Sequence, residues 1–236
     1  EVEHRNMVPT SSEKGVRFYF DVISPFAYVA WHRLLGMDLG GRAVEAVPVV
    51  FAGLLNHHKS VGPAEVEAKR IYIAKQSARL AAETGLPFDL PPSHPFNPLP
   101  ALRLVEACDG TEKRTDAATR VFDLAWGANA AKGVSTDTVR QVAADLGVHD
   151  WDSEDVKARL RKNGDDAVAR GVFGVPTVLI QGELFWGVDS LHHIPPFLRG
   201  EDPPALTLLA QRWASTKPSA TRRRSVAEGE GPVRNY

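Results

Sequence analysis

The stretch Asp21-Val22-Ile23-Ser24-Pro25-Phe26-Ala27-Tyr28 holds the residue types best placed to do chemistry. Ser24 stands where a β-branched, aromatic run ends and a helix is due. Free backbone N–H groups and the positive end of a helix dipole converge at such a point. An anion placed there is stabilised, and a thiolate is such an anion. The ordinary reading of the same serine is a helix cap, and on these residues alone that reading stands. A second stretch is Gly171-Val172-Phe173-Gly174-Val175-Pro176-Thr177. Only about 5–6% of X–Pro bonds are cis, so taken alone Pro176 reads as a trans proline at a strand start. The third, Gly187-Val188-Asp189-Ser190, taken alone is another helix cap.

A thiolate at Ser24 would have to come from outside. The chain has a single cysteine, Cys108. One thiol forms neither an intramolecular disulfide nor a Cys-x-x-Cys pair, which excludes dithiol redox chemistry and a thiolate zinc cage. His57-His58 and His192-His193 are adjacent pairs whose side chains point apart, with no third ligand at a recognisable spacing, so no metal site is expected. Arg222-Arg223-Arg224 is too short a basic run to predict nucleic-acid binding.

The elements that position these residues follow from local signals. Val16 to Val22 is β-branched and aromatic, hence a strand. Ser24-Pro25 is a cap followed by proline at the first helical position, predicting a helix from Pro25 to about Leu35 that stops at Gly36. A second strand is expected across Ala43 to Phe51. In the middle, Ile71, Ala74, Ala78 and Ala81 suggest one helix face ending at Gly85. Asn97-Pro98 repeats the cap-and-proline start before Ala101 to Cys108. Val121, Leu124 and Ala125 mark a further helix. Val139, Val142, Ala143 and Leu146 form an i, i+3, i+4, i+7 stripe, with Ser135 or Thr136 as cap and Gly147 as stop. A shorter helix is expected over Ser153 to Arg161. The proline-rich stretch Leu86 to Pro100 reads as an ordered loop or lid. Val175 to Ile180, the turn Gln181-Gly182-Glu183 and Leu184 to Gly187 read as a hairpin, and a terminal helix follows Asp189-Ser190.

The order β–α–β, helical block, β–β–α predicts an α/β domain split by a large helical insertion. The expected organisation is a flexible leader over 1–15, the α/β domain over 16–55 and 166–213, the insertion over 56–165 and a disordered tail over 214–236. Composition agrees with one ordinary globular domain: 43% hydrophobic and 24% charged residues in a chain of 236. The net charge is −1. Residues 216–236 carry five basic and two acidic groups, leaving 23 basic and 27 acidic residues before them, a net of −4. That balance argues against a nucleic-acid-binding surface. No apolar run is long enough for a transmembrane helix, and residues 1–15 lack a signal-peptide stretch, so neither a membrane partner nor export is expected and the cytoplasm is the expected compartment.

Together the three stretches resemble the thioredoxin superfamily, and more narrowly the 2-hydroxychromene-2-carboxylate isomerase family, which is similar to kappa-class glutathione transferases. The resemblance runs from about Val16 to Arg199, with Ser24-Pro25-Phe26-Ala27 in the slot of the redox Cys-x-x-Cys. It implies a thioredoxin-like fold and a glutathione site. Ser24 would donate its hydroxyl to the glutathione sulfur. Val175, held by a cis Pro176, would pair its backbone with the tripeptide. Asp189 would meet the γ-glutamyl ammonium, Ser190 the neighbouring carboxylate, and Lys69 the glycine carboxylate. Pro25, Phe26, Asn56 and Asn97 would line the cleft for a small aromatic substrate. The family often has Gly-Asn before a Pro-Pro pair ahead of that lysine; here Lys59-Ser60-Val61-Gly62-Pro63 lacks the asparagine, and Asn56 is the nearest replacement. The implied activity is glutathione-dependent isomerisation of an aromatic-degradation intermediate, in a homodimer. A kappa-like transferase and a non-catalytic peptide-binding module are the alternatives.

Overall fold

The computed structural model describes residues 15–220. Its sheet has four strands: β1 (Val16–Phe20), β2 (Val44–Pro48), β3 (Thr177–Ile180) and β4 (Glu183–Trp186), in the order β2-β1-β3-β4. β1 runs parallel to β2, and β3 is antiparallel to both β1 and β4. Helix α1 (Pro25–Leu35) links β1 to β2, and Gly36 closes it. Between β2 and β3 come α2 (Phe51–His57), α3 (Glu67–Ala82), α4 (Leu99–Ala107), α5 (Thr111–Trp126), α6 (Thr136–Asp145) and α7 (Glu154–Ala169). After β4 a 3-10 segment, Val188–His193, leads into α8 (Ile194–Leu198), and α9 (Leu206–Ser215) follows. This is the expected thioredoxin-like α/β fold with its helical insertion.

The sheet separates two cores because side chains alternate along a strand. Val16, Phe18 and Phe20 face one side with Val178 and Ile180, packed on Trp31 of α1, Leu102 of α4 and Phe122 of α5. Tyr19 faces the other side with Leu179, Leu54 of α2, Ala167 of α7 and Val175. Both expected domain junctions fall inside helices, one in α2 and one in α7, and the larger core runs unbroken from sheet to insertion. The hairpin turn places Gln181 at φ 52° and Gly182 at φ 85°, the two left-handed positions of a type I′ turn.

Several boundaries differ from expectation. β1 stops at Phe20, because Asp21 opens the turn that presents Ser24. β2 starts one residue late and ends at Pro48, and the expected strand end at Phe51 is instead the first residue of α2. On α3 the buried residues are Ser77 and Ala81, while Ile71 is 51% exposed, so the expected stripe is not the packed one. α4 starts at Leu99, ahead of Ala101, and α7 runs on from Arg161 to Ala169. Ser215 is still helical, two residues into the expected tail; the leader up to residue 14 and the tail from 221 lie outside the described residues.

Candidate active site

Ser24 is the N-cap of α1, in extended backbone at φ −93° and ψ 114°. Its own N–H donates to the Asp21 carbonyl at 3.1 Å. Its Oγ accepts the Ala27 N–H at 3.3 Å, the expected capping bond. That bond uses a lone pair and leaves the hydroxyl proton free to be given to an anion. Pro25 is buried at the first helical position, where a missing N–H costs nothing, and Phe26 is half-buried against the larger core.

The facing wall comes from the other end of the chain. The β1–β3 ladder ends at Tyr19 opposite Thr177, and Pro176 and Val175 lie just beyond that end. The Val175–Pro176 bond is cis. Val175 is 9% exposed, and among the described residues neither its N–H nor its C=O has a hydrogen-bonding partner. A strand-like residue in that state is an open position for an extended peptide backbone. The turn before it is fixed by Thr177 Oγ1, which donates to the Gly174 carbonyl at 2.7 Å. A Cβ on Gly174 would sit 2.8 Å from Trp186 Nε1, so a larger residue there would have to push that half-exposed indole aside. Gly187 N–H donates to the Pro176 carbonyl at 2.9 Å and starts the 3-10 segment, which packs against α1. On it, Asp189 is exposed, and Ser190 Oγ donates to the Gly187 carbonyl at 3.0 Å.

The proline-rich segment packs over the same turn. His94 Nε2 bonds the Ile23 carbonyl at 3.0 Å, and because a carbonyl only accepts, Nε2 carries the proton. Trp126 Nε1 donates to the Val22 carbonyl at 2.7 Å, and Tyr28 Oη to the Pro87 carbonyl at 2.5 Å. His94 and Phe96 lie against the Trp126 ring, and Phe88 stacks on it at 8°. Burial is the main reason His94 titrates below the usual histidine range; the Ile23 carbonyl opposes it and the charge of Arg70 adds to it.

This chain matches the DSBA-like thioredoxin domain over residues 15–198. It belongs to that family. Glutathione s-transferase kappa 2 of Caenorhabditis elegans is 27% identical over 214 residues, covering 79% of this chain and 92% of that protein. The 2-hydroxychromene-2-carboxylate isomerase of Pseudomonas putida is 28% identical over 194 residues, covering 75% and 90%. A solved structure of a 2-hydroxychromene-2-carboxylate isomerase superposes with a TM-score of 0.69 at 23% identity, covering 86% of this chain and 99% of that one, which is a likeness of fold.

In this DSBA-like domain the first helix opens on a serine, and the lone thiol is remote in character from a nucleophile. Cys108 is buried, its Sγ donates to the Leu104 carbonyl at 3.3 Å, and burial pushes it up to about 11. Other candidates are less closely tied to Ser24. Lys69 is exposed near the start of α3, and no contact joins it to the site among the described residues; its neighbour Arg70 is the cation whose charge reaches His94. Asn56 is exposed at the end of α2. Asn97 Oδ1 accepts the N–H of Leu99, the first residue of α4, at 3.1 Å, which leaves its amide N–H groups for other partners. His58 is tied to the Val172 carbonyl at 3.2 Å. Sequence reasoning assigned no role to Asp21 or Arg70. Asp21 alone left a signal, a carboxylate closing a run of apolar strand residues.

Proposed function

We propose that the chain is a glutathione-dependent isomerase acting by reversible thiolate addition on an aromatic-degradation intermediate of the 2-hydroxychromene-2-carboxylate type. The observation that carries this reading is the pairing of the Ser24 hydroxyl, at the open end of α1, with the unpartnered Val175 backbone across the sheet end. The residues present fit the tripeptide: a strand-like partner in Val175, a carboxylate for its ammonium in Asp189, a hydroxyl beside it in Ser190 and a donor for its sulfur in Ser24. When bound, glutathione supplies a thiolate that can add reversibly to a C=C bond conjugated to a ketone, so that the bond can rotate. Ser24 donates its O–H to the sulfur and favours the ionised form. The dipole of α1 acts in the same direction. Pro25 and Phe26 continue the apolar floor from that point. His94 and Phe96, half-buried and backed by the buried Trp126, offer ring surface beside the turn, which suits a small aromatic substrate. Asn56 and the amide of Asn97 are assigned to its polar groups, and Lys69, with Arg70 beside it, to the glycine carboxylate. The same reading includes a cytoplasmic homodimer, which sedimentation velocity tests for assembly.

The test is a thiolate absorbance titration of bound glutathione. Ser24→Ala should raise the pKa of the bound thiol by roughly 1–2, the worth of one hydrogen bond to a charged group. An unchanged titration removes Ser24 from this role. The 27% identity to a kappa-class transferase favours a second reading, in which the same thiolate displaces a leaving group. Product analysis separates the two: an isomerase regenerates free glutathione, whereas a transferase consumes it into a conjugate. A non-catalytic peptide-binding module would neither bind glutathione nor respond to Ser24→Ala.

A further inference from the structure

Asp21 is a buried ionisable group to which the chemistry above gives no task. It is 1% exposed and lies at the end of β1, where β2, β3 and α1 converge. Its Oδ1 accepts the Ile23 N–H at 3.0 Å, and its Oδ2 accepts the N–H of Phe51, the first residue of α2, at 2.8 Å. One carboxylate thus joins the turn that presents Ser24 to the segment leading from β2 into α2. The charged form holds both bonds at full strength. Protonation turns one oxygen into an O–H group, a poorer acceptor for the N–H that faces it, and weakens that arm. Among the described residues no cation compensates the charge: the ionisable side chains on the surrounding elements are Arg17 and Tyr19 on β1, Glu45 on β2, Tyr28, His32 and Arg33 on α1, His57 and His58 on α2, and Asp89 and His94 on the proline-rich segment, and none exerts a pull on this carboxyl. Burial therefore dominates and pushes Asp21 up to about 7, against the two N–H donors.

We propose that Asp21 is a positioning residue of the Ser24 site: its carboxylate holds the Ser24 turn and the start of α2 together, and its protonation loosens one of the two arms. Only the ligand side of the test rests on the glutathione reading.

The first measurement uses the full chain without ligand. The backbone amide resonances of Ile23 and Phe51 should shift together with one midpoint near 7, and Asp21→Asn should lack that step. A midpoint in the usual aspartate range, or two amides that move independently, overturns the proposal; because the wild type alone decides this, a poorly folding variant does not rescue it. The second measurement uses S-methylglutathione, which has no thiol to titrate. Its affinity for the wild type, by calorimetry, should fall roughly 3- to 10-fold from pH 8 to pH 6, the worth of one hydrogen bond. Asp21→Asn should bind weakly with no such step. The same pH dependence in both proteins overturns the positioning role. If S-methylglutathione does not bind while the two amides titrate together, the glutathione reading fails and the Asp21 strap stands.

Discussion

Asp189 projects from the 3-10 segment into solvent, where a carboxylate gains least from a partner and salt screens it most. A charge-assisted bond to an ammonium is worth roughly 1.5–3 kcal/mol, and exposure places Asp189 near the lower end. Asp189→Ala should therefore weaken glutathione binding by about tenfold, and less at high salt; an unchanged Kd in calorimetry removes Asp189 from the site. Cys108 makes the opposite case. Burial holds it as a thiol up to about 11, and its Sγ is bonded to the Leu104 carbonyl. It should resist a thiol reagent such as Ellman's reagent in native protein and react only on unfolding. Rapid labelling at neutral pH would mean that the α4 end opens. At this scale the sequence showed which groups could act on sulfur, Ser24 above all. It also showed Asn97 at the start of α4, but not that Arg70, beside Lys69, is the cation that reaches His94, because that depends on how a loop folds back.

The helices of the insertion are fastened by one buried carboxylate. Glu106 on α4 is 4% exposed and meets Arg114 of α5 at 3.6 Å, Arg159 of α7 at 3.3 Å and the Asn163 amide at 2.7 Å. Asn163 also donates to the Pro48 carbonyl at 3.2 Å, carrying the network to the end of β2. Removing Glu106 takes the acceptor from the Asn163 amide, while Arg114 keeps the Cys108 carbonyl and Arg159 keeps Asp155, so Glu106→Ala should cost about 1–3 kcal/mol, read from the urea midpoint. A loss below about 1 kcal/mol would show that the arginines simply turn to water. The caps Ser24 and Ser135 were legible because an N-cap is a local event, a side chain reaching three residues ahead. The start of α2 was not: its cap residue Val50 carries no side-chain bond, and the Phe51 N–H is met by Asp21, 30 positions earlier. The exposed face of α3 was misjudged for a related reason, since its alanines fit either side of a helix and only packing chooses.

Across the whole molecule the larger core runs from the sheet through α1 to α4 and α5 without a break, so insertion and sheet should unfold as one unit. Tryptophan fluorescence and far-ultraviolet dichroism should give the same urea midpoint; two separate transitions would show an insertion that folds alone. The pH dependence of stability has a worked sign. Asp21 is raised from 3.8 to about 7, so the folded state holds its proton longer, and this contribution is present below pH 4 and lost as pH rises towards 7. His32 and His94 lie below their ordinary value through burial, so theirs runs the other way, present above about 6.5 and lost on acidification. Comparing wild type with Asp21→Asn cancels the histidines. The wild type's stability relative to the variant should fall by on the order of 2 kcal/mol between pH 5 and 8, and a constant difference would show that Asp21 titrates alike folded and unfolded. The sequence by itself determined the α/β order, the serine that opens α1, the lack of an internal dithiol and the hairpin, since each is written in neighbouring residues. The tertiary structure alone decided that Val175 stays unpartnered just past the β1–β3 ladder, that α2 hangs from a carboxylate at the end of β1, and that the His94 loop closes on the Ser24 turn. Those are meetings of segments far apart in the chain, and burial and backbone hydrogen bonding, not local propensity, select them.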